Sequence, residues 1–368
     1  MTAKQAWLRR ISARDFRNFE RLDLDLPSGG VAIIGENGQG KTNLLEAIYY
    51  MQVLRSVRGA RDQDLVRFGA KGFHIAAACE ADAAHEIGAG FETHGKKKKV
   101  TVDGAVAARL SEAFGALPSV MFSPRDIQLI AGSPGERRRF LDLVLALSSR
   151  KYLSSLQLYR AALARRNASL RDAAKSGDDS TASVWEPALA EHGAALIVAR
   201  LEWVMERQAE FSRLTTAIGE HGEAAINYSS TIAREDDVRS ALESALARQR
   251  RHDIRRGMTH SGPHRDDMTM TLDGRDLRLF GSAGQQRTAA IALRMLESET
   301  IRSSRGIAPV LLLDDPFAEL DVRRSGRILE LLLSAGLGQT ILVVPRAADI
   351  PGELTSLERR TIDRGIIS

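Results

Sequence analysis

Three short runs of apolar residues predict buried strands in this chain. They occupy residues 31–34 (VAII), 309–313 (PVLLL) and 340–344 (TILVV). Runs of four or five such residues bounded by polar or turn residues are typical of buried strands. The first two runs lead directly into a glycine-rich and an acidic segment, so the candidate chemistry lies where these strands end.

A longer helical pattern separates the first strand from the other two. Apolar residues recur near i, i+3, i+4 and i+7 through residues 140–170 and again through residues 185–215, which predicts helices there. The polar segment 175–180 (KSGDDS) predicts a loop between them. Because heptads do not persist far enough for a long coiled coil, we expect residues 126–258 to form a short helical arm.

A complete phosphate-binding motif follows the first strand. The pattern G-x-x-x-x-G-K-[ST] is matched by Gly35, Glu36, Asn37, Gly38, Gln39, Gly40, Lys41 and Thr42. Residues 43–50 continue with helical spacing, so the order of strand, glycine loop and helix that defines a P-loop is present. The loop amides and the helix N-terminus attract phosphate, Lys41 neutralises the β- and γ-phosphates, and the Thr42 hydroxyl completes a Mg²⁺ shell. The motif therefore predicts a site for ATP and Mg²⁺.

The second strand ends in two carboxylates, Asp314 and Asp315. An apolar strand ending in acidic residues is the Walker B arrangement, in which Asp314 would hold Mg²⁺ and Asp315 would orient or deprotonate the attacking water. Taken alone, such a pair is more often a turn or helix cap, and the P-loop elsewhere in the chain reverses that preference in favour of the catalytic interpretation. Lys41 and Asp314 lie some 270 positions apart, so the ATPase core contains a large insertion or is split into two lobes.

A third motif precedes the Walker B strand. Residues 281–285 (GSAGQ) resemble the Leu-Ser-Gly-Gly-Gln signature loop of ABC-type ATPases, and a helix with periodic apolar residues follows. Small residues at a helix N-terminus form an anion site. The resemblance implies that Ser282 and Gly284 face the γ-phosphate bound by a second subunit, so that two ATP molecules are enclosed in a homodimer. Ala283 departs from the usual second glycine of this loop.

Five segments along the chain narrow the resemblance further. They are residues 14–19 (RDFRNF), 40–49 (GKTNLLEAIY), 120–124 (VMFSP) with 132–142, 262–267 (GPHRDD) and 281–288 (GSAGQQRT). In this order they are similar to segments of the RecF family. They cover almost the whole chain, and chance does not supply five ordered matches. Arg17 and Asn18, in the first segment, are implied to contact the nucleotide.

The resemblance implies a fold of the α/β class. This is an ABC/SMC-like P-loop ATPase head with an inserted short helical arm domain. We expect a first ATPase part at residues 1–125, the arm at residues 126–258, and a second ATPase part with the signature loop and Walker B strand at residues 259–368.

The resemblance also implies a function. RecF-like proteins bind DNA when ATP-bound, dimerise through ATP and hydrolyse it slowly to reset. With RecR and RecO they help to place the recombinase RecA on single-strand gaps. We therefore expect a weak ATPase that is not a nuclease, an ATP-dependent homodimer, binding to duplex DNA and single-strand/double-strand junctions, and a cytoplasmic, nucleoid-associated location.

The chain departs from the family pattern in places that bear on turnover. Arg125 stands where glutamate is usual after Phe-Ser-Pro, and Pro316-Phe317 interrupts the stretch after the Walker B strand. Val344 and Pro345 occupy the place of the polar side chain with which ABC-type enzymes sense the γ-phosphate, and proline offers no amide donor. We expect ATP binding to be retained and hydrolysis to be slow or differently gated.

Composition sets outer limits on these expectations. The 52 Lys and Arg residues against 47 Asp and Glu give a net charge of +5, which is compatible with nucleic acid without selecting it. One cysteine, Cys79, cannot close an intrachain disulfide and favours a reducing compartment. No secretory signal or membrane-spanning apolar run is expected from the sequence. Residues 96–99, 137–139 and 248–256 are basic candidates for DNA contacts, although such a segment taken alone is more often a solvated charged surface.

Three other classes of protein share parts of this pattern. A transporter ATPase subunit has the same three motifs, but the Asp-Asp pair and the absent switch histidine oppose it. A nuclease of the overcoming-lysogenisation-defect type carries a metal-binding domain after the head, whereas about 50 residues follow Asp314 here. A structural SMC-like clamp is disfavoured by the short insertion.

Overall fold

The computed structural model describes residues 4–177, 180–232, 237–317, 320–336 and 338–368. The chain divides into two compact units, the first formed by residues 1–126 with 297–368 and the second by residues 127–296. The second unit therefore extends beyond the predicted end of the arm at residue 258. Residues 259–296, which include the signature loop, lie with the helices of the arm instead of with the second ATPase part.

The strands and helices of the described residues are numbered here in chain order. The strands are β1 (Lys4–Gln5), β2 (Trp7–Phe16), β3 (Phe19–Asp25), β4 (Gly30–Ile34), β5 (Gly72–Glu80), β6 (Ala84–Glu92), β7 (Lys97–Val102), β8 (Ala105–Val106), β9 (Ser119–Phe122), β10 (Ala224–Ser229), β11 (Asp267–Leu272), β12 (Arg275–Asp276), β13 (Ile307–Ala308), β14 (Val310–Asp314), β15 (Thr340–Val344), β16 (Glu358–Asp363) and β17 (Ile366–Ile367). The helices are α1 (Lys41–Val53), α2 (Asp62–Leu65), α3 (Gln128–Ala131), α4 (Pro134–Ser148), α5 (Arg150–Ser176), α6 (Ser180–Ser183), α7 (Glu186–Ile218), α8 (Val238–Arg256), α9 (Leu277–Phe280), α10 (Ala283–Arg305) and α11 (Val322–Ser334).

The first unit contains a six-stranded sheet in the order β17-β16-β4-β15-β14-β9. Its neighbours are parallel except for β17, which pairs antiparallel with β16 at one edge. The three predicted strands are confirmed as β4, β14 and β15, and their apolar side chains are almost all buried. Because the carboxyl ends of parallel strands meet at one edge, the segments after these strands come together there.

A second, antiparallel sheet completes the first unit, in the order β3-β2-β5-β6-β7-β8. The P-loop helix α1 packs against strands of both sheets, including β5 and β14. All its residues from Leu44 to Val53 are buried. A helix that is buried on every side is typical of the interior of a domain, and this burial fixes the position of the P-loop at its N-terminus.

The second unit combines long helices with the small antiparallel sheet β10-β11-β12. The helix predicted over residues 140–170 is divided at Ser149, whose hydroxyl caps α5 by accepting a hydrogen bond from the Tyr152 amide at 3.2 Å. α5 ends at Ser176, inside the predicted polar break, although residues 178 and 179 of that break lie outside the described residues. β10 was not predicted within the arm, where a mainly helical pattern was expected. No helix among the described residues has the length and apolar character needed to cross a membrane.

Candidate functional site

The P-loop connects the end of β4 to the first residue of α1, as the sequence predicts. Gly40 has a φ of +114°, and a side chain there would place its Cβ 2.5 Å from the side-chain nitrogen Nδ2 of Asn18. A Cβ at Gly35 would come within 2.5 Å of the Ile362 carbonyl oxygen. Both positions therefore require glycine, because the loop lies against neighbouring chain segments. The result is a tight backbone turn whose amides precede a helix N-terminus.

Lys41 lies across this loop. Its side-chain ammonium donates hydrogen bonds to the carbonyl oxygens of Gly35 and Glu36, the latter at 2.8 Å. The residue is only 8% exposed, and burial lowers the pKa of its ammonium, an effect opposed by the nearby carboxylates of Asp314, Asp315 and Glu36. A cation with little solvent around it is thus held at the place where a P-loop binds β- and γ-phosphates.

Thr42 and Asp314 meet although they are 272 positions apart in sequence. The Thr42 hydroxyl donates to a carboxylate oxygen of Asp314 at 3.1 Å. Burial raises the pKa of Asp314, while the Thr42 hydrogen bond and the charge of Arg58 oppose that rise. The described residues contain no cluster of three or more His, Cys, Asp or Glu side chains suited to a metal. One hydroxyl and one carboxylate fit Mg²⁺, which takes its remaining ligands from water and substrate phosphates.

Asp315 follows the last residue of β14. Its backbone has a φ of 44°, the left-handed region that side chains rarely adopt, and its amide donates to the Val343 carbonyl at 3.0 Å. This conformation turns the chain at the edge of the sheet, beside Asp314. Ala318 and Glu319, in the segment that the sequence continues past the strand, lie outside the described residues.

Of the two residues implied by the family resemblance, Asn18 contacts the P-loop directly. Its side-chain amide donates to the Gln39 carbonyl at 3.1 Å, and its oxygen accepts a hydrogen bond from Asn43 at 2.8 Å. Arg17 instead lies against the P-loop helix, where its guanidinium donates to the Glu46 carboxylate at 2.9 Å. Asn18 thus holds the P-loop by a direct hydrogen bond, whereas Arg17 contacts only the helix α1 that follows the loop.

Glu46 was missed in the sequence. It lies fully buried on α1 and accepts hydrogen bonds from Arg17 and from the Ser56 hydroxyl, the latter at 2.5 Å. The Arg58 guanidinium approaches it to 3.9 Å, and burial lowers the pKa of Arg58. A single acidic residue inside the apolar run LLEAIYY was a signal that could have predicted a buried, paired carboxylate. Glu46 thus holds Ser56 and Arg58 of the segment after α1, and the charge of Arg58 also acts on Asp314.

The third predicted strand, β15, brings apolar residues to the same edge. Val344 is buried, pairs with Ile34, and its carbonyl accepts a hydrogen bond from the Gly35 amide at 3.2 Å. Pro345 follows it. Val344 and Pro345, which stand where ABC-type enzymes carry a polar switch residue, therefore adjoin the start of the P-loop and provide no polar side chain there.

The signature loop, residues 281–285, lies in the second unit, where it connects α9 to α10 and includes the first turn of α10. Ser282 and Gln285 form a reciprocal cap: the Ser282 amide donates to the Gln285 side-chain oxygen at 2.9 Å, and the Gln285 amide donates to the Ser282 hydroxyl at 3.2 Å. Ser282 is exposed and Gly284 partly so. Before the loop, Leu279 and Phe280 are 70% and 71% exposed. The loop thus presents a helix N-terminus bordered by apolar side chains at the surface.

The basic segments differ in how much of their charge is available. Lys98 points inward and donates to the Leu54 carbonyl and to Asp62, and its ammonium lies 4.7 Å from the centre of the Tyr50 ring. Arg137 is 1% exposed and forms two 2.8 Å hydrogen bonds with Asp267. Both residues stabilise the interior of their unit, which the charge pattern did not predict.

Comparison with known proteins gives a consistent family. The family described as the RecF/RecN/SMC N-terminal domain matches residues 7–350. The DNA replication and repair protein RecF of Agathobacter rectalis is 37% identical over 328 residues, 88% of this chain and 89% of the relative. That of Chloroflexus aggregans is 36% identical over 383 residues, 96% of this chain and 97% of the relative.

Solved structures agree with these relatives. A structure of the recombination mediator protein RecF with ATP, of the RecFOR pathway, has a TM-score of 0.91 at 30% identity, and the match covers 100% of this chain and 98% of that one. The Smc head domain of Pyrococcus furiosus has a TM-score of 0.57 at 17% identity, covering 99% of this chain and 96% of that one, so it shares the fold.

Proposed function

This chain belongs to the RecF family of ABC/SMC-like ATPases, and from that premise we propose that it is an ATP-dependent DNA-binding protein of DNA replication and recombinational repair. In this proposal it dimerises on ATP and, with RecR and RecO, aids the loading of RecA at single-strand gaps. The observation that carries the nucleotide part is the Thr42–Asp314 hydrogen bond, which joins the P-loop to the Walker B strand across 272 positions.

ATP binding is assigned to the P-loop residues of the first unit. The amides of residues 35–42 and the N-terminus of α1 would hold the phosphates, and Lys41 would exchange its carbonyl partners for the β- and γ-phosphates. Thr42 and Asp314 would bind Mg²⁺, which neutralises phosphate charge when present. Asn18 supports the loop from outside through Gln39.

Hydrolysis is assigned to Asp315, placed at the strand end by its left-handed backbone. Its carboxylate would accept a proton from, or orient, the water that attacks the γ-phosphate. Val344 and Pro345 provide no polar group at the start of the P-loop, which supports slow turnover and hence a long-lived ATP state.

The signature loop is assigned to the ATP bound by a second copy. The exposed N-terminus of α10 at Ser282 and Gly284 is a ready anion site, since the first amides of a helix have no partner within it. Closure of two copies around two ATP molecules would then create the state that holds DNA.

Sedimentation velocity tests this proposal. Wild-type protein with Mg²⁺ and a non-hydrolysable ATP analogue is expected to sediment as a dimer and to carry duplex DNA. Lys41→Ala should stay monomeric, because the γ-phosphate clamp needs the lysine charge, whereas Lys71→Ala, which removes an exposed lysine, should behave as wild type. With ATP, Asp315→Asn should accumulate a long-lived dimer as turnover falls on the order of 10²-fold. A wild-type protein that remains monomeric with saturating analogue and duplex would contradict the proposal.

A further inference from the structure

Basic charge in the second unit is concentrated on two helices. α5 carries seven Lys and Arg residues against one acidic residue, and α8 carries six against two. α7, which packs against both, carries five acidic residues against three basic ones. α5 and α8 therefore carry net charges of +6 and +4, and their sum of +10 exceeds the net charge of +5 of the whole chain.

The acidic residues between these helices are engaged in buried ion pairs. Arg166 of α5 is fully buried and donates to Asp253 of α8 at 2.7 Å and to Glu186 of α7 at 3.0 Å. Arg250 of α8 donates to the same Glu186 carboxylate at 2.6 and 2.9 Å. Both carboxylates are buried and committed to these partners. These ion pairs join the three helices. Because Asp253 and Glu186 are already paired with Arg166 and Arg250, they do not neutralise the arginines on the outer face of α8.

The outer arginines of α8 form a stripe, defined here as Arg248, Arg251, Arg255 and Arg256. The spacing of the first three is i, i+3 and i+7, which places them on one face of the helix. All four are exposed, and none has a carboxylate partner within the described part of the chain. Arg171 of α5 extends the stripe, since its side chain lies against Gly257 at the end of α8.

Helix electrostatics alone does not account for the stripe. Arg255 and Arg256 lie in the last turn of α8, where cations favour the helix dipole. Arg248 and Arg251 lie one to two turns earlier, where that effect has faded. Along the helix axis, successive arginines among Arg248, Arg251 and Arg255 lie about 4.5–6 Å apart. This spacing is similar to that of one to two nucleotides of a strand, at about 3.4 Å each.

The chemistry of the stripe fits phosphate better than a protein surface. Guanidinium groups bind phosphate through two parallel hydrogen bonds, and all four residues are arginine. Protein interfaces have an apolar core rich in aromatic residues and methionine. No large apolar side chain is exposed between residues 248 and 256.

We propose that the arginine stripe on α8 binds the phosphate backbone of DNA, and that this contact is made by residues of the second unit, whereas the P-loop and Walker B residues belong to the first. The inference rests on the proposed DNA-binding function, and it identifies the residues of the second unit that contact the DNA. Contacts of this kind recognise any sequence, because phosphates carry no base information.

The slope of log affinity against log salt measures these contacts directly. The variant Arg248→Gln, Arg251→Gln, Arg255→Gln is compared with wild type for binding a labelled duplex, with Mg²⁺ and a non-hydrolysable ATP analogue, from about 50 to about 200 mM salt. Each lost phosphate contact lowers the slope by about 0.9, so the triple variant should lose about 2 to 3 units of slope. Glutamine preserves the helix, and circular dichroism checks that the variant folds.

A charge-matched control separates the stripe from net charge. Arg21→Gln, Arg109→Gln and Arg359→Gln together remove three exposed arginines from scattered positions outside the candidate DNA-binding segments, and should change the slope by less than about one contact. If the stripe variant keeps the wild-type slope, the proposal for the stripe is wrong while the proposed function stands. The same holds if the variant binds DNA as the wild type does and loses only its binding to an acidic protein. A wild-type protein that does not bind duplex at all would overturn the proposed function as well.

Discussion

The nucleotide site contains charges that the fold has already desolvated. Burial lowers the pKa of Lys41 and raises that of Asp314, so each group carries its charge at some cost. Each is partly compensated by the other and by hydrogen bonds with the loop and with Thr42. A ligand of opposite charge lowers the free-energy cost of each such group, because its charge replaces the solvation that folding removed.

Asp314 provides a test of this cost. Its folded-state pKa is raised, so its ionisation destabilises the nucleotide-free fold: the penalty begins as pH rises past the ordinary value of about 3.9 and is complete above the raised folded-state pKa. Asp314→Asn removes the charge and should therefore stabilise the nucleotide-free protein near pH 8 and raise its Tm. The gain should shrink as pH falls towards that ordinary value and vanish below it, where the aspartate is protonated in both states.

Thermal denaturation between about pH 4 and pH 8 follows that difference, and Mg²⁺-dependent ATP turnover provides the second readout. The asparagine should lose turnover on the order of 10²-fold while it stabilises the empty protein. Opposite signs for stability and activity distinguish a metal ligand from a structural carboxylate. A variant that is less stable than wild type at pH 8 would show that Asp314 is held by favourable contacts instead.

At the scale of elements, Arg137 ties the start of α4 to the strand that leads towards the signature loop. Besides its two bonds with Asp267 at the start of β11, it donates to the carbonyls of Ile130 and Gly132 at the end of α3. α9 packs against both α3 and β11 and ends immediately before the loop. Arg137 is thus a positioning residue for the loop, and it acts through the elements beneath it.

Arg137→Gln should therefore loosen the loop. Removing one member of a largely buried ion pair costs about 2–4 kcal/mol, because the Asp267 carboxylate loses its partner. Hydrogen exchange is expected to rise over residues 277–286 and to stay unchanged over residues 35–42, and ATP should still bind while ATP-dependent dimerisation weakens. Arg139→Gln is the matched control on the same helix, since Arg139 is exposed. Unchanged exchange over residues 277–286 in the first variant would remove Arg137 from this role.

The sequence predicted elements better than it predicted what joins them. β4, β14, β15 and the P-loop helix follow from local apolar runs and a local motif, and each lies where expected. β10 was missed because six residues of weak alternation stand between strongly helical segments, and its partner β11 begins 38 residues later. Lys98 and Arg137 resemble surface charges in sequence, since nothing local reveals the Asp62 or Asp267 that turns each inward.

At the scale of the whole molecule, the first unit is assembled from both ends of the chain. The side chain of Gln339 exchanges hydrogen bonds with the Leu8 backbone across 331 positions, at 2.7 and 2.9 Å. β4 lies between β15 and β16, which come from the other end of the sequence. The second unit is the segment between these halves, and the signature loop lies within it. The proposed ATP sandwich therefore requires each copy to contribute a P-loop from one unit and a signature loop from the other.

Mixing two inactive variants tests that arrangement. Lys41→Ala disables the P-loop, and Ser282→Arg blocks the exposed loop at the start of α10, so neither variant alone should dimerise on ATP or hydrolyse it. In a mixed dimer the intact P-loop of the Ser282→Arg chain meets the intact signature loop of the Lys41→Ala chain, and one complete site forms. Turnover in a mixture should therefore exceed that of either variant severalfold, while a mixture of Lys41→Ala with Asp314→Asn, both damaged on the P-loop side of the site, should remain inactive. Equal inactivity of the two mixtures would mean that a site is completed within a single chain, because only sites shared between copies can be restored by exchange.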